Sequence, residues 1–299
     1  MADLIPFDDR DGTIWLDGKL VPWRDARLHV LSHGLHYASS VFEGERVYDG
    51  TVFKLTEHSQ RLVASATIMG MELPWTVDDI DAATNEVVRA NGCRDAYVRP
   101  IIWRGSEMMG VAAQAAKPRL AIAAWEWPSY FSPEKRNQGI RLTMAQWSRP
   151  APNTAPAKAK ASGLYMICTM SKHAAERAGY DDALMLDYRG LIAEATGANI
   201  FLVIDGELHT PVPDCFLDGI TRRAVMALAQ ARGYRVVERQ IPLSDLERAQ
   251  EVFLTGTAAE VTPVGEIEGR RFTVGTITHT LMDDFAALTR GRRAASVAA

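Results

Sequence analysis

The chain has few cysteines and no long apolar run. Its 299 residues include only three cysteines, Cys93, Cys168 and Cys215, which are far apart in the sequence. A sparse, odd-numbered set is not a disulfide framework, so we expect a reducing, cytoplasmic setting. No stretch approaches roughly 18 uncharged apolar residues, and the acidic start lacks the apolar core of a secretory signal. We therefore expect no membrane span and no signal peptide.

The chain also has little excess of positive or negative charge. The formal net charge is -4, and the sequence has neither a basic stripe for nucleic acid nor a polyacidic tail. The hydrophobic content of 47% is ordinary for a globular protein, and the length suggests about two domains with a large core. We expect small-molecule partners, with no nucleic acid and no membrane.

Several common ligand-binding motifs are missing. The sequence has no G-x-G-x-x-G after a strand, no P-loop and no G-x-S-x-G turn. The spacing of His29, His33 and His36 could place two imidazoles on one helical face as metal ligands. Without an H-E-x-x-H motif or a cysteine partner, a polar face near a site entrance is the favoured interpretation. We expect no metal.

Local patterns predict hairpins mixed with helices. Asp17-Gly18 and Asp49-Gly50 each separate two apolar runs, which is a strong hairpin signal. Thr76 with Asp79 forms a capping-box pattern at the start of a helix, and Ser244 with Glu247 forms a second. Strands and helices do not alternate regularly, which indicates an α+β fold.

A proline- and serine-containing run near Trp127–Pro133 predicts a domain boundary. We expect a small N-terminal domain over 1–128, an interdomain loop over 129–138 and a large domain over 139–299. The tail 292–299 is small and polar, and we expect it to be disordered.

A series of short motifs occurs in one order along the chain. They are Ser32–Tyr37, Val41–Gly44, Glu57–Leu62, Tyr97–Pro100, Ala155–Tyr165, Glu194–Phe201, Leu217–Arg222 and Thr255–Val264. This set resembles the class IV aminotransferases, which are fold-type IV pyridoxal-phosphate enzymes, and most of all the bacterial branched-chain amino acid aminotransferases. The resemblance extends from about Ile14 to Thr289. It implies two mixed α/β domains with the active site between them, and pyridoxal 5'-phosphate as cofactor.

The resemblance assigns the cofactor-bearing lysine to Lys160. In the family this lysine stands five residues before the tyrosine of its segment, here Tyr165. Lys158 is the competing candidate. The chemistry requires a primary amine whose pKa is lowered in a desolvated pocket.

The other cofactor contacts also follow from the resemblance. Glu194 takes the position beside the pyridine nitrogen, where a carboxylate keeps the ring protonated and electron-withdrawing. Tyr165 lies near the ring oxygen, and Arg61 supplies a cation for the phosphate. A predicted helix N-terminus, where N–H groups bind anions, adds to the phosphate site. The remaining contacts implied are Leu217, Gly219, Ile220, Thr221 and Thr257.

The substrate residues implied by the resemblance surround an aliphatic side chain and two carboxylates. Arg99 is expected to accept the second carboxylate of glutamate or 2-oxoglutarate, and Met109–Val111 to reach a neighbouring subunit in a homodimer or higher oligomer. The implied reaction is transamination between leucine, isoleucine or valine and 2-oxoglutarate. The full implied set is Tyr37, Phe42, Gly44, Tyr97, Arg99, Trp127, Tyr130, Thr257 and Ala258, and Tyr165 also belongs to the implied aromatic pocket.

Three alternatives share the cofactor: a D-amino acid aminotransferase, an (R)-amine aminotransferase and an aminodeoxychorismate lyase. A fourth is a non-catalytic protein that stores the cofactor. Joint retention of Lys160, Glu194 and Arg61 argues against the fourth. The chain departs from the family pattern at Leu164 and Ala198, so the range of amino donors stays open.

Overall fold

The structure is a computed structural model that describes residues 5–127 and 133–291. These residues form two compact units. The first unit contains the residues up to 127 together with Ala159–Gly163, and the second contains residues 133–158 and 164–291. Within the described ranges, no helix is long and apolar enough to cross a membrane. The tail 292–299, expected to be disordered, lies outside the described residues.

The first unit is built on a seven-stranded antiparallel sheet in the order β2-β1-β7-β6-β4-β5, with β3 beside β6. Its elements are β1 (Thr13–Leu16), β2 (Lys19–Pro22), α1 (His33–Tyr37), β3 (Ser40–Phe42), β4 (Glu45–Tyr48), β5 (Thr51–Val52), α2 (Leu55–Ile68), α3 (Val77–Ala90), β6 (Ala96–Arg104) and β7 (Pro118–Glu126). Helix α2 packs against α3, and α3 packs on the sheet.

The turn and cap signals of this unit act as the sequence predicts. Asp17 and Gly18 have φ angles of 46° and 102°, and Asp49 and Gly50 have φ angles of 49° and 85°. Positive φ at both central residues is the geometry that twists a two-residue hairpin correctly. Thr76 caps α3 and exchanges hydrogen bonds with Asp79, so that capping box is confirmed.

The second unit is built on a nine-stranded mixed sheet in the order β10-β9-β8-β15-β14-β11-β12-β13, with β16 beside β15. Its elements are α4 (Pro133–Gln138), β8 (Ile140–Met144), α5 (Met166–Arg177), β9 (Asp182–Leu186), β10 (Ile192–Ala195), β11 (Asn199–Ile204), β12 (Glu207–Pro211), α6 (Ile220–Ala231), β13 (Val236–Arg239), β14 (Glu251–Gly256), β15 (Glu260–Ile267), β16 (Arg270–Arg271) and α7 (Thr276–Thr289). Helix α4 occupies part of the segment 129–138 that was expected to be a loop.

Six strands of this sheet close into a ring, because β10 also pairs with β11. Strand β8 runs parallel to β9 and β15, and β12 runs parallel to β13, whereas the other pairs are antiparallel. The α+β prediction is therefore confirmed. Apolar side chains such as Ile140, Leu142 and Leu254 form a buried cluster on these strands. Full burial stabilises the fold by about 1.5–3 kcal/mol for each large apolar side chain.

The second capping-box prediction is wrong. Ser244 and Glu247 lie in a one-turn 3-10 helix, Leu243–Glu247, whose N-cap is Pro242 and which has no side-chain cap bond. The Asp245 amide donates to the Pro242 carbonyl at 3.0 Å. The tight turn therefore satisfies its backbone without a serine cap.

Candidate active site

The Lys160 backbone is anchored within the first unit. Its amide donates to Ser65 Oγ of α2 at 3.0 Å, and its carbonyl accepts from the Phe42 amide of β3 at 3.1 Å. Ala161 forms an antiparallel bridge with Val41. The segment Ala159–Gly163 therefore extends along β3 and holds the Lys160 side chain in a defined position.

The Lys160 amine has the properties that the proposed chemistry requires. Its Nζ lies 5.1 Å from the centroid of the Phe42 ring. Burial, with the positive charge of Arg61, lowers the pKa of Lys160 to about 8 despite the opposing effect of Glu43. Lys158, the competing candidate, is exposed.

Arg61 is held by a buried carboxylate. Arg61 Nε donates to Glu43 Oε1 at 2.6 Å, and Nη2 donates to Oε2 at 2.8 Å. His58 Nδ1 lies 2.7 Å from the same Oε2. Burial opposes ionisation of Glu43, but Arg61 and His58 outweigh it and hold the pKa of this carboxyl well below its usual range. The guanidinium is therefore fixed in orientation before any anion binds.

Four residues of the expected substrate pocket come together in the first unit. The Arg99 guanidinium carbon lies 4.7 Å from the Phe42 ring centroid and 5.2 Å from that of Tyr97, and Arg99 Nη2 donates to the Tyr97 hydroxyl at 3.2 Å. The Tyr97 and Trp127 ring centroids are 5.3 Å apart. These side chains form an aromatic wall that carries one guanidinium.

Gly44 belongs to the same group because of a close approach. A Cβ added at Gly44 would lie 2.0 Å from the Tyr97 hydroxyl oxygen. Any side chain at this position would push Tyr97 out of its place beside Arg99. Glycine is therefore required here by space rather than by backbone conformation.

Of the other expected substrate residues in this unit, Tyr37 has a different neighbour. Tyr37 stacks on His33, with ring centroids 4.6 Å apart, and 44% of its surface is exposed. Tyr130 lies outside the described residues. His33, one of the three spaced histidines, is buried and bonds Ser39 Oγ at 2.6 Å and the Gly110 carbonyl at 2.8 Å.

Glu194 lies on β10 of the second unit beside a buried arginine. Arg149 Nε is 3.3 Å from Glu194 Oε1, and their side chains are 5% and 12% exposed. Arg149 Nη1 also donates to the Leu164 carbonyl at 3.3 Å. The carboxylate expected at the pyridine nitrogen thus has a positively charged neighbour, which the sequence analysis did not identify.

The loop before α6 is supported by Asn199 of β11. Asn199 Nδ2 donates to the Leu217 carbonyl at 3.0 Å. A Cβ added at Gly219, the N-cap of α6, would lie 2.2 Å from Asn199 Oδ1. Ile220 and Thr221 begin the helix, so the first-turn N–H groups of α6, which is the kind of group that can bind an anion, lie where the phosphate contacts were expected.

Thr257 and Ala258 occupy the turn between β14 and β15, and both are half-buried. A Cβ added at the preceding Gly256 would lie 3.2 Å from the Gly197 carbonyl oxygen and 3.3 Å from Ala198 Cβ. The turn between β10 and β11, which contains Ala198, therefore lies next to the turn that carries Thr257. Ala198 is one of the positions at which the chain departs from the family pattern.

The residue types fit pyridoxal phosphate. The chain offers an amine with a pKa of about 8, a buried carboxylate, a fixed guanidinium and a helix N-terminus. These are the groups that an aldehyde, a pyridine nitrogen and a phosphate require. Glu43, His58 and Arg149 support them and were missed in the sequence. Glu43 lies within the Val41–Gly44 motif and His58 within the Glu57–Leu62 motif, whereas Arg149 lies in none of the motifs.

Comparison with known proteins identifies the family. The amino-transferase class IV family model matches residues 40–267. The chain belongs to this family. It is 44% identical over 271 residues to a branched-chain-amino-acid aminotransferase of Pseudomonas aeruginosa, covering 89% of this chain and 88% of the relative. It is 42% identical over 262 residues to the Escherichia coli enzyme of the same name, covering 86% and 85%.

Solved structures agree with this assignment. The branched-chain aminotransferase of Thermoproteus uzoniensis, solved with norvaline, superposes with a TM-score of 0.91 at 36% identity, covering 95% of this chain and 96% of that one. The Escherichia coli branched-chain amino acid aminotransferase gives a TM-score of 0.92 at 39% identity, covering 97% and 98%. Another branched-chain amino acid aminotransferase of this fold was solved with pyridoxamine 5'-phosphate. The fold is that of the fold-type IV aminotransferases, as the sequence predicted.

Proposed function

We propose that this protein transfers the amino group of a branched-chain L-amino acid to 2-oxoglutarate, with pyridoxal 5'-phosphate as cofactor. The products are the branched 2-oxo acid and L-glutamate. The proposal rests mainly on Lys160, whose backbone is anchored and whose amine has a pKa lowered to about 8. The chain is also similar to branched-chain aminotransferases over most of its length.

Lys160 is proposed as the catalytic residue. When bound, the cofactor supplies an aldehyde that takes up amino groups and a ring that withdraws electrons. With a pKa of about 8, a useful fraction of Lys160 is uncharged near neutral pH. Its Nζ can then take a proton from the substrate Cα and return it. A lysine with an ordinary pKa would be protonated and unable to do so.

The other proposed cofactor residues bind and orient. Arg61, held by Glu43, and the first turn of α6 at Gly219, Ile220 and Thr221 bind the phosphate. Glu194 keeps the pyridine nitrogen protonated. The remaining proposed contacts are Tyr165 at the ring oxygen, Leu217 on the ring face and the Thr257 hydroxyl.

The aromatic wall is proposed to enclose the aliphatic side chain of the donor. Phe42, Tyr97 and Trp127 form its described part, and Tyr37 and Tyr130 are proposed to complete it. Arg99 binds the second carboxylate of 2-oxoglutarate, because a guanidinium forms strong charge-assisted bonds with a carboxylate. The turn at Thr257 and Ala258 binds the α-carboxylate.

We also propose a small N-terminal domain over 1–128, a large cofactor-binding domain over 139–299 and a homodimer. Exposed apolar side chains support the dimer: Val111 is 89% exposed, Leu35 63% and Met109 46%. The three cysteines are free, which supports a cytoplasmic location.

A donor screen with 2-oxoglutarate tests the proposal. Purified protein loaded with cofactor is mixed with 2-oxoglutarate and with L-leucine, L-isoleucine, L-valine, D-alanine or an (R)-amine, and both enantiomers of glutamate are measured. We expect the three branched L-amino acids to give the highest kcat/KM. A higher value for D-alanine or the (R)-amine would overturn the donor assignment in favour of the related aminotransferases.

A further inference from the structure

Arg149 is a buried cation with no role in the reaction described so far. It follows β8, where its amide donates to the Leu186 carbonyl at 2.8 Å and it forms a parallel bridge with Asp187. Only 5% of its side chain is exposed. A guanidinium taken out of water costs several kcal/mol unless a counter-ion offsets the loss. The position of Arg149 therefore needs an anion beside it.

Glu194 is that anion. The Arg149 Nε and Glu194 Oε1 atoms are 3.3 Å apart, but Nε makes no aligned hydrogen bond. The contact is an ion pair that depends on charge more than on bond direction. Burial lowers the pKa of Arg149, but Glu194, together with smaller contributions from Cys168 and Tyr165, outweighs burial, so that the net pKa is raised.

The same guanidinium reaches the start of α5. Its Nη1 donates to the Leu164 carbonyl, directly before Tyr165, and lies 3.5 Å from Cys168 Sγ. Burial and Glu194 raise the pKa of Cys168 to about 11, so this thiol stays neutral near physiological pH. Asp182 of β9 adds a further acidic group near Cys168, and burial raises its pKa. Lys172 Nζ lies 4.0 Å from Asp182 Oδ2, whereas Arg149 is the cation that pairs with Glu194 at 3.3 Å.

We propose that Arg149 is a positioning residue that keeps Glu194 ionised and so allows Glu194 to hold a proton on the cofactor's pyridine nitrogen. The proposal rests on the role of Glu194 in the proposed function. A buried carboxylate without a cation binds a proton, because burial disfavours its charge. A protonated Glu194 would not stabilise a positive ring nitrogen. Arg149 prevents this without touching the cofactor itself.

The test compares Arg149→Met and Arg149→Gln with Arg149→Lys. The two neutral variants should lose the reaction of bound cofactor with L-leucine progressively as pH falls from 9 to 6, by roughly 10-fold or more at pH 6. Their near-visible absorbance, measured without substrate, should shift with pH over the same range. Arg149→Lys should retain wild-type behaviour within about 3-fold, because the ion pair depends on charge. The wild-type profile should be flatter.

A double-mutant cycle separates this role from a structural one. In a Glu194→Gln background, Arg149→Gln should cause little further change, because no carboxylate remains to be kept ionised. Arg232→Met is the control: it breaks the partly buried Arg232–Asp284 pair of the same unit and should lower Tm without moving either pH profile. If the Arg149 variants lower Tm but leave both profiles unchanged, the proposal is wrong.

The cycle also distinguishes this proposal from the proposed function. If Glu194→Gln leaves absorbance and turnover at wild-type levels, the assignment of Glu194 itself fails. If Glu194→Gln slows turnover by roughly 100-fold and the neutral Arg149 variants do not respond to pH, only the role of Arg149 fails.

Discussion

Glu43 binds Arg61 through both carboxylate oxygens, at 2.6 and 2.8 Å, while Glu43 is fully buried. Such a bidentate pair fixes the plane of the guanidinium as well as its charge. If Arg61 binds the cofactor phosphate, Glu43 determines the orientation in which the guanidinium faces the phosphate.

Glu43→Gln should therefore weaken cofactor binding. An amide has one acceptor oxygen instead of two, so it cannot accept from Arg61 Nε and Nη2 on separate oxygens as the carboxylate does. The guanidinium therefore gains freedom that phosphate binding must remove. We expect the apparent Kd of the apoenzyme for pyridoxal phosphate to rise roughly 10-fold, which is about 1.4 kcal/mol. Glu57→Gln, which removes the carboxylate that pairs with Lys54, is the control. An unchanged Kd would remove Glu43 from this role.

Lys160→Ala should abolish covalent attachment of the cofactor. Borohydride reduction of the wild-type holoenzyme followed by peptide mapping should place the label on Lys160, and Lys158→Ala should label normally. Because the uncharged amine is the nucleophile, capture of cofactor by the apoenzyme should accelerate with pH and level off above about 8. A label on Lys158 or Lys172 would contradict the assignment.

Arg99→Leu should separate the two half-reactions. The second carboxylate of 2-oxoglutarate loses its cation, so its apparent KM should rise roughly 10- to 100-fold, whereas the leucine half-reaction should change far less. Stopped-flow absorbance of each half-reaction measures both. Arg104→Leu is the control: Arg104 lies on the same strand and bonds the Met69 and Gly70 carbonyls, so it should lower only Tm. Equal losses in both half-reactions of Arg99→Leu would refute dual specificity.

Glu45→Gln should stabilise the protein above acidic pH. Glu45 is fully buried, and among residues 5–127 and 133–291 neither of its carboxylate oxygens has a hydrogen-bond partner. Burial, with the negative Glu43 and Asp81, raises its pKa well above the usual range. In the unfolded chain this carboxyl ionises above about pH 4.3, so folding must bind a proton and stability falls as pH rises past that value.

The variant removes that dependence. Its unfolding free energy should exceed the wild-type value by about 1–3 kcal/mol at pH 8, and the gap should close toward pH 4. Glu43→Gln gives the opposite sign, because Glu43 has a lowered pKa and stabilises the fold above acidic pH. Denaturant unfolding of wild type and variant at pH 4 and pH 8 tests this prediction. If the difference in unfolding free energy does not vary with pH, ionisation of Glu45 is not its cause.

Local signals predicted local structure well. The Asp17-Gly18 and Asp49-Gly50 turns and the Thr76 cap depend on residues that are adjacent or three apart, so their physics is complete within a few positions. The parallel pairing of β8 with β15 depends on partners far apart in sequence, and no local pattern specifies it. The capping box predicted at Ser244 was wrong because a short 3-10 helix with Pro242 as its N-cap forms there instead of a longer helix.

For the same reason, only some residues of the candidate site could be proposed from the sequence. Lys160, Glu194 and Arg61 were proposed because the family resemblance assigns each of them a role. Glu43 and Arg149 act through neighbours on other elements, Arg61 on α2 and Glu194 on β10. On composition alone, a buried ion pair of this kind cannot be told from a surface one.

The segment Ala159–Gly163 belongs to the first unit although the residues on either side of it belong to the second. A gene fragment that ends at residue 128 therefore encodes an incomplete unit, without the partner of Val41 and without Lys160. Fragment complementation would have to supply these five residues separately, either as a peptide or by circular permutation that joins them to β3. Lys160, the proposed catalytic residue, and the strand that supports it are consequently encoded by two distant parts of the gene, and recombination between those parts would separate them.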